Sequence, residues 1–155
     1  MRFINLTKNK QAIVDDEDFE RVNKLKWKCT HLGYAEHNYR VRRKMISLPM
    51  SRFILNTPKG KHTDHINHDT LDNRKCNLRI CTVAQNSFNR KLSVRNTSGY
   101  KGVSWNKELK KWYASIKFQY KSYSLGLFSN KIDATIAYNM AAKKYFGEFA
   151  YINPL

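Results

Sequence analysis

Three short stretches in the last third of the chain alternate apolar and polar residues, and an alanine-rich stretch with helical spacing follows them. The three stretches are GYKGVSWN, KKWYASIKFQ and KSYSLGLFS, separated by short polar turns. Alternation with a period of two predicts β-strands. The stretch NKIDATIAYNMAAKKYFG predicts a helix that begins near Asn130 and is closed by Gly147. This order of elements favours a three-stranded antiparallel sheet packed on one helix.

Strand parity divides the side chains of this sheet between two faces. The face predicted to pack on the helix is apolar and consists of Val103, Trp105, Trp112, Ala114, Ile116, Phe118, Tyr123, Leu125 and Leu127. The other face is predicted to be open and polar, with Ser104, Asn106, Ser115, Lys117, Gln119, Ser122 and Ser124. Parity therefore favours core packing for the large aromatic side chains rather than a stacking platform for single-stranded nucleic acid.

A small polar segment separates this region from the rest of the chain. We predict domains at residues 1–92 and 99–155, joined by a linker at residues 93–98. The first domain is predicted to contain the following elements: a strand or hairpin over 2–15, a short helix over 15–27 capped by Asp15 or Asp16, two strands over 38–55, and a helix over 82–92 with a Thr cap.

The charge of the chain indicates a polyanionic partner. Its 155 residues include 29 Lys and Arg against 12 Asp and Glu, for a formal net charge of +17. Residues 1–100 and residues 101–155 are both basic, so the charge is not confined to a tail. Such a surface favours nucleic acid, whose neutralised phosphates release counterions on binding. A solvated basic surface or a ribosome-associated protein is the alternative.

Composition excludes several other classes of protein. Hydrophobic residues make up 41% of the chain, which is enough to build a core. No apolar run of about 18 residues exists, and the N-terminus MRFINLTKNK lacks the apolar stretch of a signal peptide, so we expect a cytoplasmic protein without a membrane span. Cys29, Cys76 and Cys81 are odd in number, and the second ligand pair that a structural zinc site needs is missing, which favours reduced thiols.

The segment HTDHINHDTLDNRKCNLR, residues 62–79, concentrates the side chains that carry chemistry. It holds three of the five histidines, three of the twelve acidic residues and three asparagines. The pattern predicts a hairpin whose second strand leads into the helix at residues 82–92. The segment is either a polar, turn-rich hairpin without chemistry or a site that binds a cation and transfers a proton.

In such a hairpin, Asn86 of the following helix could meet Asp64. A carboxylate and an amide oxygen, completed by water and a substrate phosphate, is the kind of ligand set that holds Mg²⁺. His65 would stand on the other side of the phosphate as a general base. Neighbouring residues of a regular strand point to opposite faces, so the pair can serve one phosphate only from a strand end or a bulge.

The order Asp-His, then NLR, then QNxxN resembles the phage and intron-encoded branch of the HNH endonuclease family. This resemblance implies a β-hairpin and helix around a single divalent metal ion, Mg²⁺ or Mn²⁺. It implies that His65 is the general base and that Asp64 and Asn86 are the metal ligands. It also implies that Asn77 holds the loop and orients the histidine.

Two further features of the resemblance concern DNA contacts. Asn89 and Arg90, on the same face of the predicted helix as Asn86, would contact phosphates. Many relatives carry a His-Arg pair where this chain has Ser51 and Arg52, so the arginine, an implied DNA contact, is kept and the imidazole is replaced by a hydroxyl. If that histidine normally supports catalysis, its loss would lower activity.

The C-terminal region is similar to the Apetala-two/ethylene-response-factor type of DNA-binding domain. The similarity lies in the start YKGV, in WYASI, LGLF and AYN, and in FGEFAYIN. It implies DNA contacts from Lys101, Ser104, Asn106, Ser115, Lys117 and Ser124. The plant form is richer in Arg and Trp on this face, and Lys and Ser are poorer at the bidentate contacts that discriminate bases.

Together these patterns predict an α+β protein. A β-rich N-terminal segment leads into a ββα-metal hairpin and helix, followed by the three-stranded sheet on one helix. The predicted function is a homing-type, phage-encoded HNH endonuclease that acts on double-stranded DNA as a monomer or weak dimer, without a membrane or small-molecule substrate. Two alternatives stay open: a catalytically silent DNA-binding regulator on the same scaffold, and a protein that binds structured RNA.

Overall fold

The computed structural model describes residues 1–155 as a mixed α/β protein with four small sheets and four α-helices. The chain divides into two compact units, Met1–Asn86 and Ser87–Leu155. None of the helices is both long enough and apolar enough to cross a membrane.

The first unit begins with a hairpin, a helix and a three-stranded meander. These elements are β1 (Arg2–Asn5), β2 (Gln11–Val14), α1 (Asp16–Asn23), β3 (Lys28–Cys29), β4 (Ala35–Val41), β5 (Lys44–Pro49) and α2 (Met50–Leu55). The hairpin predicted as one possibility over 2–15 is present, with β1 and β2 antiparallel. Asp15 occupies the N-cap of α1, but its carboxylate accepts a bond from the backbone N–H of Lys75 instead of capping the helix.

A second hairpin and the first residues of a helix complete this unit, and the last two residues of that helix belong to the second unit. β6 (His62–His65) pairs antiparallel with β7 (Leu78–Cys81), and a 3₁₀ turn (Lys75–Asn77) precedes β7. α3 (Val83–Phe88) follows, and its N-terminus is a capping box. In that box Gln85 N–H donates to Thr82 Oγ1, and Thr82 N–H donates to Gln85 Oε1. The predicted Thr cap is therefore observed.

The core of the first unit draws on the N-terminal hairpin, both early helices and β7. Its buried members are Ile4, Leu6, Ala12, Val14, Val22, Trp27, Cys29, Ala35, Met50, Ile54 and Leu78. Leu78 stands opposite His65 in the β6–β7 register. The core therefore anchors the hairpin that carries the Asp-His pair.

The prediction of two strands over residues 38–55 was wrong in its second half. Residues 38–49 do form parts of two paired strands, but residues 50–55 form helix α2. Pro49 sits at the N-cap, where its missing N–H leaves no intrahelical bond unmade. Met50 and Ile54, four residues apart, bury one face of the helix. Arg52 consequently lies on a helix.

The helix predicted over residues 82–92 is shorter in the structure. It ends at Phe88, so Asn89 and Arg90 lie beyond it and do not continue the helical face of Asn86. The expectation that all three share one face is corrected.

The second unit has the predicted order of three strands and one helix. β8 (Val103–Asn106), β9 (Lys111–Phe118) and β10 (Lys121–Phe128) form an antiparallel sheet with β9 in the centre, and α4 (Lys131–Phe146) packs on it. The side chain of Asn130 caps α4 by accepting a bond from the N–H of Ile132, and Gly147 ends it.

A β-bulge in β10 changes which face of the sheet the side chains at the end of this strand occupy. The register shifts between Ser124 and Gly126, so Leu127 pairs with Tyr113 and Phe128 turns to the core side. Leu127 was predicted in the core but is 42% exposed. Trp105, also predicted in the core, is 46% exposed at the end of β8, where it packs edge-on against Trp112.

We predict that Gly102→Ala strongly destabilises the second unit. Gly102 has a φ of +75°, and an added Cβ would lie 2.0 Å from the Tyr138 ring and 2.7 Å from the Ser115 carbonyl. The expected loss is more than about 2 kcal/mol of unfolding free energy, measured by urea titration. Gly99→Ala is the control, because φ is +81° but nothing lies within 4 Å. Backbone strain alone should cost it about 1 kcal/mol. Equal losses in the two variants would show that the contact with Tyr138 is unimportant.

Candidate active site

The Asp-His pair lies at the C-terminal end of β6, within the first unit. Asp64 stands opposite Arg79 and His65 opposite Leu78 in the hairpin register. Each of Asp64 and His65 is only 7% exposed. His65 is the last residue of its strand, where the chain begins to turn. This placement meets the condition under which neighbouring strand residues can serve one substrate.

The carboxylate of Asp64 is held by an arginine on the facing strand. Arg79 donates from Nε at 2.9 Å and from a terminal guanidinium nitrogen at 2.6 Å, both to Asp64 Oδ2. Both side chains are close to nine-tenths buried, so the pair is poorly screened by solvent. The carboxylate is therefore fixed in place and its charge is partly balanced.

The imidazole of His65 lies in a buried, polar setting. Its Nε2 lies 3.3 Å from Asn73 Oδ1, and the Tyr34 ring approaches edge-on with centroids 6.0 Å apart. Burial lowers the pKa of His65 below its usual 6.5, although the contact with Asn73 and three nearby aspartates act to raise it. The ring is therefore mainly neutral at neutral pH and able to accept a proton.

Asn77 closes the loop that follows His65. Its Oδ1 accepts from the N–H of Asn67 at 2.9 Å, and its Nδ2 donates to the carbonyl of Asp72 at 2.8 Å. Its own carbonyl accepts from the N–H of Ile66. These three hydrogen bonds connect Asn77, at the end of the loop, to Ile66 and Asn67 at its start and to Asp72 within it.

Sequence reasoning missed two residues of this loop. Asp72 is buried and accepts both Nε and a terminal nitrogen of Arg74, at 2.8 and 2.7 Å. This pairing lowers the pKa of Asp72. Asn73 contacts His65 directly. The run DNR, residues 72–74, could have indicated the Asp72–Arg74 pair, because a carboxylate two residues before an arginine can pair with it across a turn.

The donor set of the predicted metal site suits a hard cation. Asp64 would supply a carboxylate and Asn86, half-buried on α3, would supply an amide oxygen, both of the kind that Mg²⁺ takes together with water. No group of three or more His, Cys, Asp or Glu side chains is arranged to hold a metal ion. Any cation here would therefore depend on water and substrate for its remaining ligands, and would share the carboxylate with Arg79.

Arg52 is engaged with the backbone. Its guanidinium donates to the carbonyls of Lys61, Thr57 and Pro58 at 2.5, 3.0 and 3.2 Å. These carbonyls belong to the turn that leads into β6. In this conformation the arginine holds that turn.

Lys101, Asn89 and Arg90 lie in the second unit. The ammonium of Lys101 donates to the carbonyls of Phe88 and Arg90 at 2.7 and 3.0 Å, so it caps the end of α3. Burial and the neighbouring Arg90 lower the pKa of Lys101 to about 8. Asn89 is buried, whereas the side chain of Arg90 is exposed.

The other predicted DNA contacts share one face of the second sheet. This set comprises Ser104, Asn106, Ser115, Lys117 and Ser124. The register adds Lys111, Tyr113 and Leu127 to the same face. Asn106 also accepts a bond from the N–H of Leu109 and so shapes the β8–β9 turn.

The lowered pKa of His65 predicts a loss of stability on mild acidification. Well above pH 6.5 the ring is neutral in both the folded and the unfolded chain, and it contributes no pH dependence. As the pH falls below 6.5 the unfolded chain binds the proton first, so the unfolding free energy decreases until the folded pKa is reached. Urea unfolding at about pH 7.5 and about pH 5 should therefore show a larger decrease for the native protein than for His65→Gln. A decrease of the same size in the variant would contradict the assignment.

Comparison with known proteins agrees with the residue pattern of this site. A family model described as HNH endonuclease matches residues 56–88, which include β6, the loop, β7 and α3. An uncharacterized HNH endonuclease, L560, of Acanthamoeba polyphaga mimivirus is 30% identical over 150 residues, 93% of this chain and 75% of that protein. Protein 3.8 of Escherichia phage T7 is 39% identical over 67 residues, 43% of this chain and 55% of that protein. No solved structure matches significantly.

Proposed function

The chain belongs to the HNH endonuclease family, and from this premise we propose that it is a metal-dependent endonuclease that hydrolyses phosphodiester bonds of double-stranded DNA. One observation carries the proposal. A buried, mainly neutral imidazole, His65, follows directly after an arginine-held carboxylate, Asp64, at the end of one strand. The net charge of +17 supports a polyanionic substrate.

In the proposed reaction His65 accepts a proton from the water that attacks the scissile phosphorus. A neutral imidazole can do this near pH 7, and burial keeps His65 neutral. The proton moves to the ring as the new P–O bond forms, and the bond to the 3′-oxygen breaks. Asn77 supports this step by keeping the loop after His65 closed.

Asp64 and Asn86 are the proposed ligands of a single divalent cation, Mg²⁺ or Mn²⁺. Such an ion supplies charge stabilisation to the phosphate and the departing 3′-oxygen. The contribution of Arg79 is to hold the Asp64 carboxylate in one orientation through two hydrogen bonds. Water and the substrate would complete the coordination beside these two proposed ligands.

We propose residues 99–155 as a DNA-binding domain of the Apetala-two type, joined by the linker 93–98 to a nuclease domain over 1–92. Support comes from the three antiparallel strands on one helix and from the polar face that the helix leaves uncovered. A sheet of this kind can lie in the major groove. Arg90 would add a phosphate contact. Asn89 is proposed as a further DNA contact. Arg52 and Lys101 would act mainly by holding the backbone carbonyls to which they donate.

The homing-type, phage-borne role is part of the proposal. The similarity to a giant-virus protein and a phage protein supports a viral setting. A single proposed site per chain makes one nick the natural product of a monomer, whereas a double-strand break would need a dimer or sequential cuts.

Cleavage of supercoiled plasmid with Mg²⁺, Mn²⁺ or EDTA tests the nuclease proposal. The native protein should convert supercoiled DNA to nicked product only with a divalent cation. His65→Ala should lower the rate by about 10²–10⁴-fold, because the general base is lost. His31→Ala, an exposed histidine in a turn of the same unit, is the control and should cleave normally.

Other outcomes of this assay separate the alternatives. Binding of duplex DNA with no cleavage by any variant would indicate a silent regulator. Tighter binding to structured RNA than to duplex DNA at equal salt would indicate an RNA-binding protein. Equal cleavage by the native protein and His65→Ala would contradict the proposed site.

The open sheet face predicts a specific electrostatic effect. Lys117 is exposed on the central strand of this face, so Lys117→Gln should weaken duplex binding and reduce the slope of log K against log salt by about one. Lys143→Gln, an equal charge change on the exposed side of α4, is the matched control and should leave the slope unchanged. Equal effects of the two substitutions would show that losing one positive charge weakens DNA binding whether or not that charge lies on the open sheet face.

A further inference from the structure

The contact between His65 and Asn73 has a defined polarity. Asn73 Nδ2 donates to the carbonyl of Leu71 at 3.2 Å, so its Oδ1 is the atom that faces the imidazole. Reversing the amide would place two oxygens against each other at Leu71. The group that approaches His65 Nε2, at 3.3 Å, is therefore an acceptor.

An acceptor at Nε2 determines where the ring carries its proton. In a neutral imidazole one nitrogen bears hydrogen and the other a lone pair. Since Asn73 Oδ1 can only accept, Nε2 must be the protonated nitrogen, which leaves the lone pair on Nδ1. We propose that Asn73 is a positioning residue that fixes the tautomer and plane of His65, so that Nδ1 is the atom that takes the proton from water. This inference rests on the proposed endonuclease function.

The backbone of Asn73 is held by the N-terminal hairpin. Its N–H donates to the carbonyl of Ile13 on β2 at 2.8 Å, and the N–H of Ile13 donates to the carbonyl of Leu71 at 2.8 Å. These two bonds make a short parallel bridge between β2 and the loop. Asn73 is 2% exposed, and β2 is itself part of the buried core. The first strands of the chain therefore act on the histidine through Asn73.

Asn73 and Asn77 divide two tasks in the same loop. Both side-chain polar atoms of Asn77 bond to loop backbone, at Asn67 and Asp72. Asn73 instead uses one atom for loop backbone and the other for the imidazole. Loss of Asn77 should therefore loosen the loop. Loss of Asn73 should release the ring while Asn77 keeps its own bonds.

The tautomer can be measured directly by ¹⁵N NMR on the full-length protein. Long-range ¹H–¹⁵N correlation at about pH 7.5 distinguishes the protonated from the unprotonated ring nitrogen, and comparison with His65→Gln assigns the signals. We expect a single tautomer for His65 with hydrogen on Nε2. Hydrogen on Nδ1, or an even mixture of tautomers, would overturn the proposal. This readout does not depend on cleavage, so it remains decisive if the protein is not a nuclease.

Two substitutions test the effect of Asn73 on the reaction. Asn73→Ala removes the acceptor, so the ring should populate both tautomers and kcat should fall about 10–10²-fold with KM nearly unchanged. Asn73→Asp keeps an acceptor at the ring and adds a charge that stabilises the imidazolium, although it loses the bond to the Leu71 carbonyl. The acidic limb of its pH–rate profile should move to higher pH, whereas that of Asn73→Ala should move to lower pH.

A buried asparagine elsewhere provides the matched control. Asn139 in α4 also makes two bonds with backbone, both to Asn153, so Asn139→Ala should lower stability to a comparable extent. It should leave the His65 tautomer and the pH–rate profile unchanged. If Asn73→Ala behaved like this control, or if the two Asn73 variants shifted the acidic limb in the same direction, the positioning role would be refuted. If neither Asn73 variant folds, the tautomer measured in the native protein still decides.

Discussion

The loop between β6 and β7 contains few apolar side chains, so hydrogen bonds must fix it. Asn77 joins its two ends, and the Asp72–Arg74 pair stabilises its turn. Buried polar groups of this kind stabilise a single conformation only when nearly all of them find partners. Here they do so by bonding to each other and to the backbone of β2. The geometry of the proposed active site depends on this network.

Charge balance explains why a strongly basic chain can bury carboxylates beside a histidine. Each of the two buried aspartates of the site region is paired with an arginine, Asp64 with Arg79 and Asp72 with Arg74. The pairs reduce the attraction of these carboxylates for a proton on His65, and burial then lowers the pKa of the ring. The same arrangement leaves Asp64 fixed in orientation. The proposed general base and the proposed cation ligand can thus be neighbours in sequence without neutralising each other.

The two units illustrate different degrees of predictability. In the second unit, period-two alternation located all three strands, and the Asn130 cap and Gly147 located the ends of α4. The β-bulge before Gly126 was invisible to a parity argument, and it reversed the facing of Leu127 and Phe128. In the first unit, Pro49 and the pair Met50 and Ile54 marked a helix that a strand pattern concealed. Short apolar runs are ambiguous between strand and helix, because only their packing partners distinguish the two.

Residue types and local spacing were enough to predict the family, the basic character and the order of the residues His65, Asn77 and Asn86. The groups that surround these residues depend instead on how distant parts of the chain pack. Arg79 faces Asp64 through the hairpin register, and Asn73 faces His65 because β2, some 60 residues away in the chain, holds the loop. Likewise Arg52 and Lys101 carry the charge expected of DNA contacts, yet their donors bond to nearby carbonyls. Spacing defines which residues can act together locally, whereas long-range backbone pairing defines which polar atoms meet.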